Sequence, residues 1–441
     1  MTQPSSIFDS YQTMAVIGAA GKMGSGISLL LLQEMARSQI AEMPHPTQRS
    51  LVLIDSDPEK LDGLKKYLRS QLQKWAEKNI ISLRQRVEHV PSLISNREII
   101  EAFLSNAMDI AHFASSYQAA NQAQLIFEAI IENIDSKSET LARLKQNSHV
   151  NPYFFSNTSS IPISVLNAKA SLEGRIIGFH FYNPPAVQKL IEIIPLEQGD
   201  ASLTTLAINI AEQLNKQVIL SKDVAGFIGN GYFLREIMFA CQMAQKLSTQ
   251  HKNPQNIYLV NRVTQDFLLR PMGLFQLMDY VGLDVVDHVG WIMQIYLPTF
   301  TYSNALLAPL MKRGHFGGQE ADGSQKNGFF QYDHGRIQGI YDLEAGQYVP
   351  LESCTWKKDC DAWLGTPPSN FTWKSLSQHP KMAEQVQRYY SLLSEEKTHG
   401  AELAKRFLAH LQQTIQGLVD NQIASSAEDV NSILKKGFYH L

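Results

Sequence analysis

The sequence predicts an α/β protein in which a doubly wound parallel sheet is followed by all-helical C-terminal domains. In the first part, an apolar strand over Thr13–Ile17, a glycine-rich turn, a helix over residues 27–43 and a strand over residues 51–55 form a β-α-β unit. After about residue 200, long amphipathic segments such as residues 203–214 and 273–296 replace this alternation. The change of pattern separates a sheet-containing part from a helical part.

The alternation of strands and helices continues up to about residue 200. The predicted helices cover residues 58–78 and 137–147, and the predicted strands cover residues 125–131, 154–157, 176–181 and 190–195. Only the short connection at residues 183–188, which contains Pro184, separates the last two strands. Because a short connection can join antiparallel but not parallel strands, we expect these two to pair antiparallel.

Three domains are expected along the chain. We predict a sheet-containing domain at residues 1–205, a helical domain at 206–335 and an extension at 336–441. Residues 314–348 are Gly-rich and polar and predict a loop region, whereas residues 382–434 are again helical.

A weak internal repeat links the helical domain to the extension. Residues 227–273 contain a long helix, a polar break and a second helix, and residues 404–441 repeat that order by pattern rather than by identity. The extension is therefore a candidate partial second copy of the helical domain.

Composition excludes several classes of function. The net charge is −3, which argues against a nucleic-acid partner because such a partner needs a concentrated basic face. No run of 18 apolar residues predicts a membrane span, and the first residues lack an apolar signal core. The three cysteines, Cys241, Cys354 and Cys360, show no metal-ligand spacing. We expect a cytoplasmic protein without a metal.

The glycine-rich turn is typical of dinucleotide binding. Glycines are needed where backbone passes close to a pyrophosphate, and the helix that follows offers unpaired N–H groups to the phosphates. The spacing is one residue longer than G-x-G-x-x-G, but the turn follows an apolar strand and opens a helix, so a Rossmann-type domain is predicted. The cofactor-binding residues predicted here are Gly18, Gly21, Lys22, Met23 and Gly24.

Asp55 is expected to select the cofactor. It ends the second strand, where a carboxylate can accept hydrogen bonds from the adenosine ribose and would repel a 2′-phosphate. NAD is therefore favoured over NADP, and the alternative is an ordinary loop aspartate.

His180 and Glu192 form the predicted catalytic pair. A neutral imidazole titrates near neutrality and suits a general base that removes a proton from a secondary alcohol. Cross-strand neighbours lie about 5 Å apart, so a carboxylate on the next strand can hold one ring nitrogen. Glu192 within an apolar strand is costly unless paired, which independently indicates a partner. From the residues alone, His180 could instead be a satisfied core histidine.

The chain resembles the 3-hydroxyacyl-CoA dehydrogenase family over roughly residues 13–330. The matching segments, specific together in this order, are MGSGI (23–27), LVLID (51–55), FEAIIEN (127–133), SNTSS (156–160), GFHFYNP (178–184), KLIEII (189–194), KDVAGFIGN (222–230) and RPMGLFQLMDYVGLD (270–284). The resemblance implies an NAD-dependent oxidation of a 3-hydroxyacyl-CoA to the 3-ketoacyl-CoA, with the matching His as base and the matching Glu as its partner.

The resemblance also implies roles for other residues. Ser159 and Asn230 match contacts to the substrate oxygen, Asn183 matches a residue that orders the active site, and Asn157 and Glu128 match positions near the nicotinamide ribose and amide. For the CoA phosphates a basic contact is expected, and Lys74 is the candidate, with Ser159 also assigned to the substrate. Each could instead be structural: a turn or cap residue for Ser159 and Asn183, a surface helix residue for Asn230, a strand-end carboxylate for Glu128, and a solvated lysine for Lys74.

Two alternatives to this function remain open on the sequence. The first is a related dehydrogenase of a hydroxy acid without CoA, such as a sugar acid. The second is a non-catalytic NAD-binding scaffold relative. The extension resembles the second helical domain of the larger fatty-acid oxidation proteins, where it takes the place of a partner subunit. We therefore expect either a homodimer or an internal pseudo-dimer.

Overall fold

The computed structural model describes residues 7–320 and 323–441, which fall into two compact units. The first unit ends at Asp223 and the second covers Val224–Leu441. Each unit has an apolar core of its own. The predicted boundary at residue 205 falls inside a helix of the first unit, which continues to one further strand of its sheet.

One sheet organises the first unit. Its order in the described residues is β3-β2-β1-β4-β5-β6-β7-β8, and every neighbouring pair is parallel except β6 and β7, which pair antiparallel as predicted. The strands are β1 (Thr13–Ile17), β2 (Ser50–Ile54), β3 (Ala111–Ala114), β4 (Leu125–Glu128), β5 (Tyr153–Ser156), β6 (Ile176–Phe181), β7 (Leu190–Ile194) and β8 (Gln217–Leu220).

Helices flank this sheet and are fixed by local sequence signals. They are α1 (Ile7–Ser10), α2 (Lys22–Ile40), α3 (Pro58–Lys78), α4 (Ile80–Arg86), α5 (Asn96–Ile110), α6 (Ile134–Asn147), α7 (Ile163–Lys169) and α8 (Ala201–Gln213), with a 3₁₀ turn at Tyr117–Ala120. Asp57 caps α3 ahead of Pro58, Asn133 caps α6, and Ser95 forms a capping box with Glu98 on α5. The helix predicted over residues 27–43 instead covers Lys22–Ile40. The chain is thus already helical directly after Gly21.

Apolar strand residues build the core that carries the site. Strands β4, β6 and β7 are buried along their whole length, and β5 is buried except at its first residue, as expected for a sheet covered on both faces. The ring of Phe127 stacks on Phe155 at 4.7 Å, and both meet Phe179 edge-on. This packing makes the strand ends a rigid platform for polar side chains.

The second unit is mainly helical. Its helices are α9 (Gly229–Leu247), α10 (Gln255–Arg262), α11 (Leu274–Val281), α12 (Leu283–Tyr296), α13 (Ala308–Met311), α14 (Thr355–Leu364), α15 (Trp373–Ser377), α16 (Met382–Glu395), α17 (His399–Asp420) and α18 (Ala427–Gly437), with a π-helical turn at Val263–Phe267.

A small antiparallel sheet corrects the loop predicted over residues 314–348. Strands β9 (Phe330–Asp333), β10 (Arg336–Asp342) and β11 (Gln347–Pro350) pair in the order β11-β10-β9. The fully buried carboxylate of Asp279 on α11 accepts the backbone N–H groups of Phe329 and Phe330 at 2.7 and 2.9 Å. These long-range bonds fix a segment whose Gly-rich composition alone predicts a loop.

Helices of the predicted repeat pack against each other within the second unit. The ring of Phe239 on α9 stacks on His410 at 4.1 Å and meets Phe407 edge-on, both on α17. Phe233 of α9 lies 5.6 Å from Phe438, at the end of α18. The two helical segments with a similar pattern therefore share one core.

No helix within residues 7–320 and 323–441 is long and apolar enough to cross a membrane. In the same residues, no group of three His, Cys, Asp or Glu side chains could hold a metal ion.

Candidate active site

The glycine turn after β1 has the close backbone packing that a dinucleotide requires. Gly18 adopts φ +77°, and a Cβ there would lie 2.7 Å from the Ala129 carbonyl oxygen. A Cβ on Gly24 would collide with the Gly18 carbonyl oxygen. Helix α2 begins directly after Gly21, and no side chain caps it. The first N–H groups of the helix therefore lie at the glycine turn. The turn thus fits a pyrophosphate at a helix N-terminus.

The other predicted residues of the turn flank this helix start. Lys22 is exposed on the first turn of α2, and Met23 is half-buried against the core of the first unit. Asp55 follows β2 and accepts the Ala20 N–H through Oδ2 at 3.0 Å. The backbone of the turn is therefore in contact with the acid predicted to select NAD.

His180 and Glu192 meet as the antiparallel pairing predicts. They are direct partners in the register of β6 and β7, and His180 Nδ1 lies 3.2 Å from Glu192 Oε1. The His180 side chain is 10% exposed and the Glu192 side chain 0%, so the carboxylate is buried while the ring reaches the surface of the site. The Tyr182 hydroxyl donates to the same Glu192 oxygen at 2.6 Å.

Asn157 and Asn183 lie in the loops beside this pair. The Asn157 side-chain oxygen accepts the Phe181 N–H at 2.9 Å, which ties the end of β5 to the end of β6. Asn183 is half-buried and precedes Pro184 across a cis peptide bond. The Asn157 hydrogen bond therefore helps to fix the end of β6, where His180 lies.

Glu128 is committed to protein donors. Its fully buried carboxylate accepts Lys137 Nζ at 2.6 Å, the Ile130 N–H at 2.8 Å and the Ser156 hydroxyl at 2.6 Å. Glu128 is therefore placed as a strand-end carboxylate, the structural alternative given in the sequence analysis. Any influence of Glu128 on the binding of the cofactor would act through Lys137, Ile130 and Ser156.

Glu132 and Lys137 form a second cluster that sequence reasoning missed. Glu132 Oε1 accepts the hydroxyls of Thr158 and Ser160 at 2.7 Å each, and the Ser159 N–H at 2.9 Å. Although burial alone would raise the pKa of Glu132, the Lys137 ammonium and these donors hold it at about 2. A charged pair directly after the apolar strand β4 was the available signal.

Ser159 belongs to this cluster, whereas Lys74 and Asn230 lie on other elements. Ser159 is half-buried with its hydroxyl 3.5 Å from Glu132 Oε1. Lys74 is exposed on α3. Asn230 is half-buried in the first turn of α9, in the second unit.

These features together define a class of protein. A glycine turn at a helix start, an acid after β2 and a histidine–carboxylate pair at the carboxyl edge of a parallel sheet are the parts of a dinucleotide-dependent oxidoreductase.

Two family models then match the chain in succession. Residues 13–224 match the NAD-binding domain of 3-hydroxyacyl-CoA dehydrogenase, and residues 226–327 match its C-terminal domain. The chain belongs to the 3-hydroxyacyl-CoA dehydrogenase family, and it is an NAD-dependent enzyme of that family.

Two curated relatives agree with this membership. The chain is 28% identical over 280 residues to the mitochondrial hydroxyacyl-coenzyme A dehydrogenase of Homo sapiens, and the aligned region covers 63% of this chain and 79% of that protein. It is 27% identical over 322 residues to a probable 3-hydroxybutyryl-CoA dehydrogenase of Bacillus subtilis, covering 72% and 96%.

The fold match extends into the C-terminal extension. The crystal structure of 3-hydroxybutyryl-CoA dehydrogenase from Escherichia coli superposes with a TM-score of 0.61 at 18% identity, covering 98% of this chain and 89% of that one. The match to the family's C-terminal domain ends at residue 327, whereas the structural match covers 98% of this chain. The structural match therefore includes most of the extension.

Proposed function

We propose that the chain interconverts a 3-hydroxyacyl-CoA and its 3-ketoacyl-CoA, with His180 as general base and Glu192 as its partner. The single observation that carries this proposal is the contact of His180 Nδ1 with the buried Glu192 carboxylate at 3.2 Å. When bound, NAD accepts the hydride that leaves the substrate carbon.

In this proposal the two ring nitrogens of His180 have different tasks. A carboxylate that accepts Nδ1–H fixes the tautomer in which Nε2 carries a lone pair. Nε2 then takes the hydroxyl proton as the carbonyl forms, and Glu192 stabilises the imidazolium. In the reverse direction Nε2 returns that proton to the new hydroxyl.

Other residues support this chemistry in the proposal. Asn183 orders the turn beside His180, Ser159 contacts the substrate oxygen, and Asp55 holds the adenosine ribose. Lys74, exposed on α3, is proposed as a contact for CoA phosphate. Asn230 stays a prediction from the resemblance, and Lys74 stays a prediction from its position on the helix after the second strand; each is tested by its alanine variant.

The decisive assay follows NADH oxidation with acetoacetyl-CoA and, in parallel, with free acetoacetate and a keto sugar acid. We expect turnover only with the thioester. Turnover of a free acid but not of the thioester would replace the proposal with the hydroxy-acid function. NADH binding without turnover of any of the three would replace it with the scaffold function.

We also propose that the extension makes the chain an internal pseudo-dimer rather than a homodimer through α9. Support comes from α17, whose Phe407 and His410 cover Phe239 on α9 within one core. Light scattering is expected to give the mass of one chain, 49.6 kDa. A tight dimer whose interface includes α9 would contradict this arrangement.

A further inference from the structure

Glu192 Oε1 serves two partners at once. It accepts the Tyr182 hydroxyl at 2.6 Å and lies 3.2 Å from His180 Nδ1. Successive side chains alternate along an extended strand, so residues two apart, His180 and Tyr182, project to the same side. Their rings lie 5.1 Å apart with a 44° tilt. The phenol thus stands beside the imidazole and competes with it for one oxygen.

The phenol hydroxyl is a fixed donor in this arrangement. Tyr182 is 9% exposed, and burial together with the negative charge of Glu192 raises the pKa of Tyr182 well above its ordinary value. It therefore stays protonated throughout the working pH range. A neutral hydroxyl that donates to a buried carboxylate stabilises the anion and limits the negative charge that the carboxylate can offer elsewhere.

We infer that Tyr182 is a positioning residue, which holds the Glu192 carboxylate against His180 and tempers the basicity of the imidazole. The inference rests on the proposed role of His180 as general base. Because the hydroxyl shares Oε1, Glu192 stabilises the imidazolium less than it would alone. Without the hydroxyl, Glu192 would stabilise the imidazolium more strongly.

The charged groups around the pair lie on neighbouring elements. Glu192 is on β7, Lys189 precedes that strand, and Lys216 precedes β8. The Lys216 ammonium donates to the carbonyls of Pro185 and Gln188 at 2.6 Å each, on the turn between β6 and β7. Glu128 with Lys137 stands at the end of β4. Replacement of Tyr182 by Phe leaves all of these charges unchanged. A change in the pH dependence of that variant therefore reports the loss of the hydroxyl.

Tyr182→Phe tests the inference because it removes the hydroxyl and keeps the ring. We expect the acidic limb of kcat/KM for 3-hydroxyacyl-CoA oxidation to move to higher pH by about 0.5 unit or more, since a hydrogen bond to a charged group is worth that much or more. Imidazole titration of His180 followed by NMR in the full chain should move the same way. KM for the thioester should change little.

Tyr153→Phe is the matched control, because its hydroxyl donates to Asp200 at 2.8 Å in the same unit and does not contact Glu192. That variant should leave the acidic limb in place. A Tyr182→Phe enzyme with a lower kcat but an unmoved limb and unmoved NMR titration would overturn the inference and leave only a structural role.

A second replacement serves if Tyr182→Phe does not fold. Tyr182→3,5-difluorotyrosine keeps the shape and donates more strongly, so the His180 titration should move to lower pH. A shift to higher pH, or none, would overturn the inference. Failure of the parent proposal is recognised separately: His180→Ala would then retain turnover, whatever the Tyr182 variants do.

Discussion

Glu132, whose side chain is 22% exposed, and the fully buried Glu192 are two carboxylates at one edge of the sheet that are held in opposite ways. Glu132 faces the permanent cation Lys137 and a set of hydroxyl and backbone donors. Glu192 faces an imidazole and a phenol. A permanent cation locks a carboxylate in its ionised form and suits structural support, whereas a titratable partner allows a proton to move. The comparison thus assigns structural support of the site to Glu132 and the proposed proton transfer to the pair of Glu192 with His180. Four substitutions test this division of roles.

The largest effect is expected for His180→Ala. Because a general base supplies about 10²–10⁴-fold, kcat should fall by that factor while the Kd for NADH changes little. Steady-state rates and fluorescence titration with NADH measure the two quantities. His149→Ala, at an exposed histidine of the same unit, is the control. A loss below about tenfold would remove His180 from the role of base.

Lys137→Met is expected to act on stability. It leaves the fully buried Glu128 and the partly exposed Glu132 without their cation, which should lower the free energy of unfolding by about 3–5 kcal/mol, mainly through Glu128. Lys145→Met on the same helix removes a partly exposed ion pair with Glu173 and should cost at most about 1 kcal/mol. Equal losses in denaturant titrations of the two variants would contradict the supporting role of the Lys137 cluster.

The depressed pKa of Glu132 predicts a dependence of stability on acid. A carboxylate held at about 2 and returned to its ordinary 4.5 on unfolding contributes stability above pH 4.5 that is lost as pH falls toward 2. The difference in Tm between the unsubstituted chain and Glu132→Gln should therefore shrink from pH 6 to pH 3. Glu139→Gln, at an exposed position on α6, should show no such change. A difference that stays constant with pH would place the Glu132 pKa near its ordinary value.

Glu192→Gln should lower kcat less than His180→Ala does, and it should barely change stability. An amide keeps the shape and still accepts a hydrogen bond, but it no longer stabilises an imidazolium. We expect a loss of roughly tenfold or more in kcat with Tm nearly unchanged. Glu197→Gln, at an exposed position after β7, is the control. A larger loss of Tm than of kcat would make Glu192 a structural residue like Glu132.

Local pattern predicted the pairing of His180 with Glu192 because a short connection between two apolar strands leaves one simple register. It could not predict that Lys137 reaches back to Glu128, since such a contact depends on how α6 packs beside β4. The strand β8 was missed because it is only four residues long and its sequence, QVIL, shows no alternation of apolar and polar residues.

The small sheet at residues 330–350 illustrates the same limit. Its position depends on the buried carboxylate of Asp279, a residue far away in the sequence. Composition therefore predicted a loop where long-range hydrogen bonds order three strands.

The most direct test of the account is the pH dependence of kcat/KM for 3-hydroxyacyl-CoA oxidation, measured for the unsubstituted chain and for His180→Ala. If His180 takes the substrate proton, the unsubstituted enzyme shows an acidic limb that is absent from the residual activity of the variant. An identical acidic limb in both enzymes would contradict the account, because another group would then be the base.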